Sequence, residues 1–191
     1  VSAAIAPRER SFWGWGWADA SPSEEHCSAL ARLVEARFGV SLPGLLPVPR
    51  LDAVTLPPVR VTPPAPLAEL CRTDPAARAG HAYGKSFRDV VRGAHGEFPN
   101  PPDVVAYPAD ERDVAALLAW CADARLAAVP YGGGSSVVGG VEPPPRDAFP
   151  GVVTIDLARL VRSSSTGPAA PRASRAASTA RRSRSSSART G

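Results

Sequence analysis

Residues 104–140 run from one apolar stretch, through a helix-period segment, into a second apolar stretch and then three consecutive glycines. No other feature limits the local fold so tightly. Val104 to Tyr107 reads as a strand closed by Pro108. Asp110 is placed to cap a helix whose apolar positions Val114, Leu117, Leu118 and Cys121 keep the i, i+3, i+4, i+7 spacing, with Trp120 and Leu126 widening the face. Ala127 to Pro130 reads as a second strand, and Val152 to Asp156, followed by Leu157 and Leu160, as a third. Strand, helix and strand in this order predict a βαβ unit with parallel strands and a right-handed crossover. Ligands of such units lie at the carboxyl ends of the strands.

That is where Pro130-Tyr131-Gly132-Gly133-Gly134-Ser135-Ser136-Val137-Val138-Gly139-Gly140 falls. Glycine lacks a Cβ, so the backbone can take positive φ and approach a ligand closely. Successive N–H groups in such a turn form an anion-binding nest, and Ser135 and Ser136 add hydroxyl donors. The chemistry points to a phosphate or diphosphate cradle. Neither common nucleotide motif fits. No lysine follows these glycines, the Gly84-Lys85-Ser86 triplet has Ala79 where a P-loop needs glycine, and G-x-G-x-x-G from Gly132 fails at Val137. Taken alone, the glycines read equally well as a flexible surface turn.

Upstream, Phe12-Trp-Gly-Trp-Gly-Trp17 is expected to pack an N-terminal arm onto a domain rather than form an exposed patch. Ser21, Pro22 and Glu24 predict a helix start with a capping box; Cys27, Leu30, Val34 and Phe38 follow at helical spacing, and Gly39 ends the run. Eight prolines between Pro43 and Pro66 rule out a regular helix or central strand and predict an extended surface connector. Short helices are expected over 65–80, with Asp74 capping Pro75 and Gly80 closing the turn. Lys85 and Arg88 read either as phosphate contacts or as a solvated helix end. His81 and His95 have no partner at ligand spacing, and no metal site is expected. Pro99 to Pro102 is a rigid lead-in to the first clear strand.

Charge separates the chain's last part from the rest. The net charge is +4, yet residues 163–191 hold six Arg and no acidic residue, which leaves −2 on the remainder. That tail is nearly all Ser, Ala, Arg, Thr, Pro and Gly, and its composition predicts disorder. Two explanations stand: a basic tail that touches nucleic acid, or the product of a reading-frame slip near residue 161, which is the preferred one. Three widely spaced cysteines, Cys27, Cys71 and Cys121, suit reduced thiols in a cytoplasmic protein. No 18-residue apolar run or signal peptide is present, so no membrane span is expected.

Asp103-Val-Val-Ala-Tyr-Pro108, the helix after it, and Ala127-Ala-Val-Pro-Tyr-Gly-Gly-Gly-Ser-Ser-Val-Val-Gly-Gly-Val-Glu142 resemble the start of the FAD-binding domain of the vanillyl-alcohol-oxidase/PCMH flavoproteins. Gly84-Lys-Ser-Phe-Arg-Asp89 and Val138-Gly-Gly-Val-Glu-Pro143 resemble most the alkyldihydroxyacetonephosphate synthase branch and its bacterial members. The resemblance covers roughly 68–160 and implies an α/β (α+β) fold. Residues 1–64 form a helical arm and Pro-rich connector, 65–162 an incomplete PCMH-type FAD-binding domain beginning with its first βαβ part, and 163–191 a disordered tail. It implies that Pro130, Tyr131, Gly132, Gly133, Gly134, Ser135, Ser136, Val137, Val138 and Gly139 wrap the FAD diphosphate. No histidine lies in 130–140, so the flavin is expected to be held non-covalently.

In that branch the flavin adds to a substrate carbon and exchanges an ester-linked acyl group for an ether-linked alkyl chain; other members oxidise alcohols or hydroxy acids. The substrate of the full-length parent is thus expected to be a small or lipid-type molecule. The family's catalytic residues lie beyond this chain, and none is assigned here. With part of the sheet and one wall of the flavin site lacking, the 191-residue chain is expected to bind FAD weakly or not at all. The competing class is a non-enzymatic α/β module whose basic tail binds nucleic acid.

Overall fold

The computed structural model describes residues 9–160. The aromatic arm doubles back on itself: Ser11 N–H donates to Gly16 O at 3.1 Å and Ala18 N–H to Glu9 O at 2.9 Å. Phe12 and Trp13 pack against a small core of Ala79, Ala82, Tyr83 and Phe98. Trp13 lies so close to Gly93 that a Cβ there would sit 2.8 Å from the Trp13 carbonyl. The arm therefore docks, as expected, through Phe12 and Trp13, while Trp15 stays exposed.

Helix α1 spans Glu24–Phe38, and its cap is Ser23 rather than Ser21. The chain remains extended through Pro22, because the residue before a proline avoids the helical region, and the Ser23 hydroxyl is the one that accepts from His26 N–H at 3.2 Å. Gly39 closes the helix at φ 64°. The apolar positions named above do not form a buried face. No residue of α1 is buried, and Leu30, Leu33 and Phe38 are exposed.

The Pro-rich connector is extended apart from a 3-10 turn at Leu51–Ala53, and it is tied down from Leu51 onward while its first residues are exposed. Leu51, Val54 and Leu56 reach the aromatic core, and Val61 reaches the sheet core. Its strongest attachment is Arg60, whose guanidinium meets the fully buried Asp103 at 2.7 Å. A 3-10 helix, Ala65–Leu70, leads to β1 (Cys71–Arg72), a two-residue strand within the 65–80 stretch where short helices are expected. Helix α2, Pro75–Gly80, is capped by Asp74, which accepts from Ala77 N–H at 3.1 Å. Helix α3, Phe87–Ala94, begins at a reciprocal capping box of Ser86 and Asp89.

Strand β2 is Val104–Ala106, one residue shorter than expected; Tyr107 instead donates its N–H to Leu70 O at 2.8 Å. Asp110 caps α4, Glu111–Asp123, by accepting from Arg112 and Asp113 N–H. Leu117 and Cys121 are buried as expected, but Leu118 is exposed. The stripe on α4 is therefore narrower than the spacing suggested. Strands β3 (Ala127–Tyr131) and β4 (Val152–Asp156) complete a sheet of order β1-β2-β4-β3. Strand β1 is antiparallel to β2; β2, β4 and β3 are mutually parallel, with Val104 opposite Val153 and Tyr131 opposite Asp156. The βαβ unit of β2, α4 and β3 thus leaves a slot between its strands, and β4 fills it. Every residue of β4 is buried, as a central parallel strand covered on both faces requires.

Candidate FAD-binding site

Strand β3 delivers Tyr131 to the carboxyl edge of the sheet, and the glycines follow it directly. Gly134 has φ 70°, a left-handed conformation, and it packs under the Tyr131 hydroxyl so closely that a Cβ would overlap the phenol. Gly139 has φ 76° and closes a turn with Glu142 N–H donating to Gly139 O at 3.1 Å. Gly132 and Gly133 are different: a Cβ at either would meet no atom within 4 Å. Gly134 serves the loop's own shape, whereas Gly132 and Gly133 leave open space on its outer side. Ser135 is exposed. The Ser136 hydroxyl, expected only as an outward donor, accepts from Gly140 N–H at 3.1 Å, and this leaves its own proton to donate elsewhere. Val137 and Val138 are exposed. With Ser86, Phe87, Arg88, Asp89 and Gly139 they line an open cavity of about 460 Å³ between the loop and the start of α3.

Four cationic residues reach this loop or its end. Arg10 donates from Nη1 to Gly133 O at 2.7 Å. Lys85 donates its backbone N–H to Ser136 O at 2.8 Å, a contact possible only because Gly84 brings no Cβ against that carbonyl. Arg92 on α3 holds Glu142 at 2.8 Å and Asp89 at 2.7 Å, and lies 4.5 Å from the centre of the Tyr83 ring. The more exposed Arg88 also reaches Glu142, at 3.3 Å. The segment Gly84 to Arg92 therefore braces the glycine loop at both ends, a role that spacing alone did not reveal. Burial, partly opposed by Asp89 and reinforced by Arg10, brings the Lys85 ammonium down to about 8.

Beneath the loop lies a buried polar cluster that sequence reasoning missed. His81 packs 4.3 Å from the Tyr131 ring and edge-on to Tyr107 at 5.9 Å. Its Nδ1 donates to Ala77 O at 2.7 Å, and its Nε2 faces Asp156 Oδ2 at 3.1 Å. The Tyr131 hydroxyl donates to Gly80 O at 3.1 Å. Burial, with the Asp156 carboxylate adding, pushes the Tyr131 and Tyr107 phenols up to about 12, so both remain hydrogen-bond donors at neutral pH. One signal was available in the sequence: an aspartate ending an otherwise apolar buried strand requires a polar partner. Among the described residues no group of three or more His, Cys, Asp or Glu side chains is placed to hold a metal ion.

The loop thus leaves open space beside Gly132 and Gly133, with Arg10 bonded to it at Gly133 O and the Lys85 backbone at Ser136 O. The class follows from comparison with known proteins, where residues 102–174 match the FAD binding domain family. This segment of the chain is therefore similar to the FAD-binding domain family over those residues. The match runs past the compositional break at residue 162. More particularly, the chain is 37% identical over 91 residues to alkyldihydroxyacetonephosphate synthase of Trypanosoma brucei brucei, and 34% identical over 94 residues to that of Dictyostelium discoideum. The matched segments cover 48% and 49% of this chain and 15% of either relative. A solved structure of alkyldihydroxyacetonephosphate synthase superposes with a TM-score of 0.62 at 23% identity, covering 78% of this chain and 32% of its own. A second gives 0.60 at 22% identity over the same share of this chain and 33% of its own. These superpositions bear on the fold alone. The chain thus spans about a third or less of the relatives it matches.

Proposed function

We propose that residues 130–139 hold the diphosphate of a non-covalently bound FAD in an enzyme that makes an alkyldihydroxyacetone phosphate, with a lipid-type substrate. The observation that carries this reading is the coincidence of the family match with an open glycine nest flanked by Arg10 and Lys85. Pro130 and Tyr131 set the direction in which β3 enters the nest; Gly132, Gly133 and Ser135 present backbone and hydroxyl donors to the ligand. Val137, Val138 and Gly139 continue the wall. FAD, when bound, supplies the reactive ring; this chain's part is to bind and orient it. Non-covalent attachment is supported by His81, whose two ring nitrogens already face Ala77 O and Asp156. A cytoplasmic setting is supported by three free cysteines, two of which, Cys71 and Cys121, have thiols pushed by burial to about 11 and so remain protonated.

The test is titration of the purified chain with FAD, ADP and riboflavin, followed by flavin fluorescence and by competition. Weak but saturable FAD binding that ADP displaces is expected, with riboflavin binding at least tenfold more weakly. Equal binding of riboflavin and FAD would remove the diphosphate from the loop. The nucleic-acid alternative rests on residues 163–191, which lie outside the described residues.

A further inference from the structure

We propose that Lys85 is an anchoring residue for the FAD diphosphate, its ammonium and the Arg10 guanidinium together supplying the positive charge that the neutral glycine nest lacks. This inference rests on the FAD reading above and adds a residue that lies outside the glycine loop, some 50 positions upstream in the sequence.

The geometry fixes where the Lys85 backbone lies. Its N–H is bonded to Ser136 O, the Gly84 backbone abuts the same carbonyl, and Ser86 immediately starts α3. The backbone of Lys85 is thereby pinned against the nest. Its side chain is partly buried, and among the described residues the ammonium has neither an ion pair nor a hydrogen bond. Two charged groups influence it, Asp89 on α3 and Arg10 on the N-terminal arm. Asp89 is already engaged, accepting from Arg92 at 2.7 Å and from Ser86 N–H at 3.2 Å. Glu142, the carboxylate at the far end of the loop, is likewise held by Arg92 and Arg88. Arg10 adds a second positive charge on the loop itself, at Gly133 O. With the nearby carboxylates committed elsewhere and a second cation bonded to the loop, the partly buried Lys85 side chain, its backbone pinned against the loop, is left to meet an anionic ligand. A diphosphate in the nest meets it by a charge-assisted hydrogen bond.

The same arrangement predicts proton uptake. Without ligand, burial keeps the amine near half-protonated at about pH 8; a diphosphate beside it favours the charged form and draws in a proton.

Lys85 is the sole lysine of the chain, so amine-specific chemistry reads it almost alone. The full 191-residue chain is acylated at pH 8 with FAD, riboflavin, inorganic phosphate or no ligand, and modification is quantified by mass spectrometry, with the N-terminal amine as internal reference. We expect saturating FAD to slow Lys85 acylation about tenfold or more, with riboflavin and an equal concentration of inorganic phosphate leaving it unchanged. Calorimetry in buffers of different ionisation enthalpy should show proton uptake on FAD binding at pH 8. In Lys85→Met the uptake should vanish and FAD affinity fall roughly tenfold to a hundredfold, while Lys85→Arg restores affinity without the uptake. Saturable FAD binding with unprotected Lys85 and unchanged affinity in Lys85→Met overturns this inference. Equal protection by riboflavin or phosphate overturns the assignment to the diphosphate. Absence of any FAD binding by the wild-type chain, even at millimolar FAD, overturns the underlying FAD reading instead.

Discussion

Replacing Asp103 by asparagine should loosen the junction between the Pro-rich connector and the sheet that carries the glycine loop. The carboxylate is completely buried and accepts from Arg60 N–H at 3.0 Å, from Arg60 Nε at 3.1 Å and Nη2 at 2.7 Å, and from Val152 N–H at 2.9 Å. Arg146 stands 3.9 Å away, its own Nη2 donating to Pro58 O. Arg60 also donates from Nη1 to the carbonyl oxygens of Arg146 and Phe149. Asparagine keeps one acceptor oxygen and turns an NH2 toward groups that are all donors. Two arginines are then left partly buried without a counter-charge. Removing one partner of a buried ion pair costs about 3–5 kcal/mol; the acceptor that asparagine retains places the expectation near the lower figure. For a domain of this size that corresponds to a fall in Tm of about 6–12 °C. The assay is urea denaturation of wild type and Asp103→Asn, followed by circular dichroism at pH 7. Acid provides an independent check. Burial alone raises the Asp103 carboxyl, but the Arg60 side chain and the two backbone N–H donors outweigh it and hold the group below the ordinary carboxylate range. Its contribution is therefore complete above the unfolded value, near pH 4, and is lost as pH falls through the lower folded value. The gap between the two proteins should be constant from pH 7 to about pH 5 and narrow only in stronger acid. A difference below about 1 kcal/mol at pH 7, or a gap independent of acid, would refute the ion-pair reasoning.

Two further predictions separate fold from binding. Gly134→Ala puts a side chain at φ 70° and against the Tyr131 phenol, so the ring must leave Gly80 O; a loss of about 2–4 kcal/mol in chemical denaturation is expected together with loss of FAD binding. Gly132→Ala meets no atom within 4 Å; its stability should stay within about 0.5 kcal/mol of wild type while FAD binding, read by fluorescence, falls at least tenfold. The ligand-free chain should also gain stability as pH rises from 8 to 10, because the Lys85 amine titrates at about 8 when folded and near its ordinary value when unfolded, so the unfolded state holds the extra proton across that window. Lys85→Met should flatten this slope and be more stable than wild type at pH 7 by about 1–3 kcal/mol in the same denaturation assay.

The elements legible in the sequence are those whose signals are local. Asp110 before α4, Asp74 before Pro75 and Gly39 after α1 each act within a few residues, and each does what its chemistry predicts. The buried stripe of α4 is narrower than its spacing predicts because periodicity gives the angle of a face and not how much of it the sheet covers. Leu118 lies on the edge that β4, β2 and β3 do not reach. The α1 stripe fails for a related reason: spacing identifies an amphipathic helix, and burial needs a second surface that no local pattern encodes. Strand β1 has only two residues, too few for any periodicity.

Within the loop, the left-handed turns at Gly134 and Gly139 were legible because glycine's permissiveness is a property of the residue itself, whereas the groups that support the loop lie far apart in sequence. Arg10 meets Gly133 across 123 positions and His81 meets Asp156 across 75. The central placement of β4 brings Asp156 beside Tyr131, and the resulting cluster couples the end of α2 to the start of the glycine loop. Tyr131 is the link: its ring packs on His81, its hydroxyl holds Gly80 O, and its phenol dictates that residue 134 be glycine. The open glycines 132 and 133 hang from that fixed point, with Lys85 pinned to Ser136 on the far side. The cradle's shape therefore depends on contacts between the aromatic arm, α2, α3 and three parallel strands. A ligand seated in it would be sensed at all of them, which is why loss of Gly134 should disturb both folding and binding while loss of Gly132 disturbs binding alone.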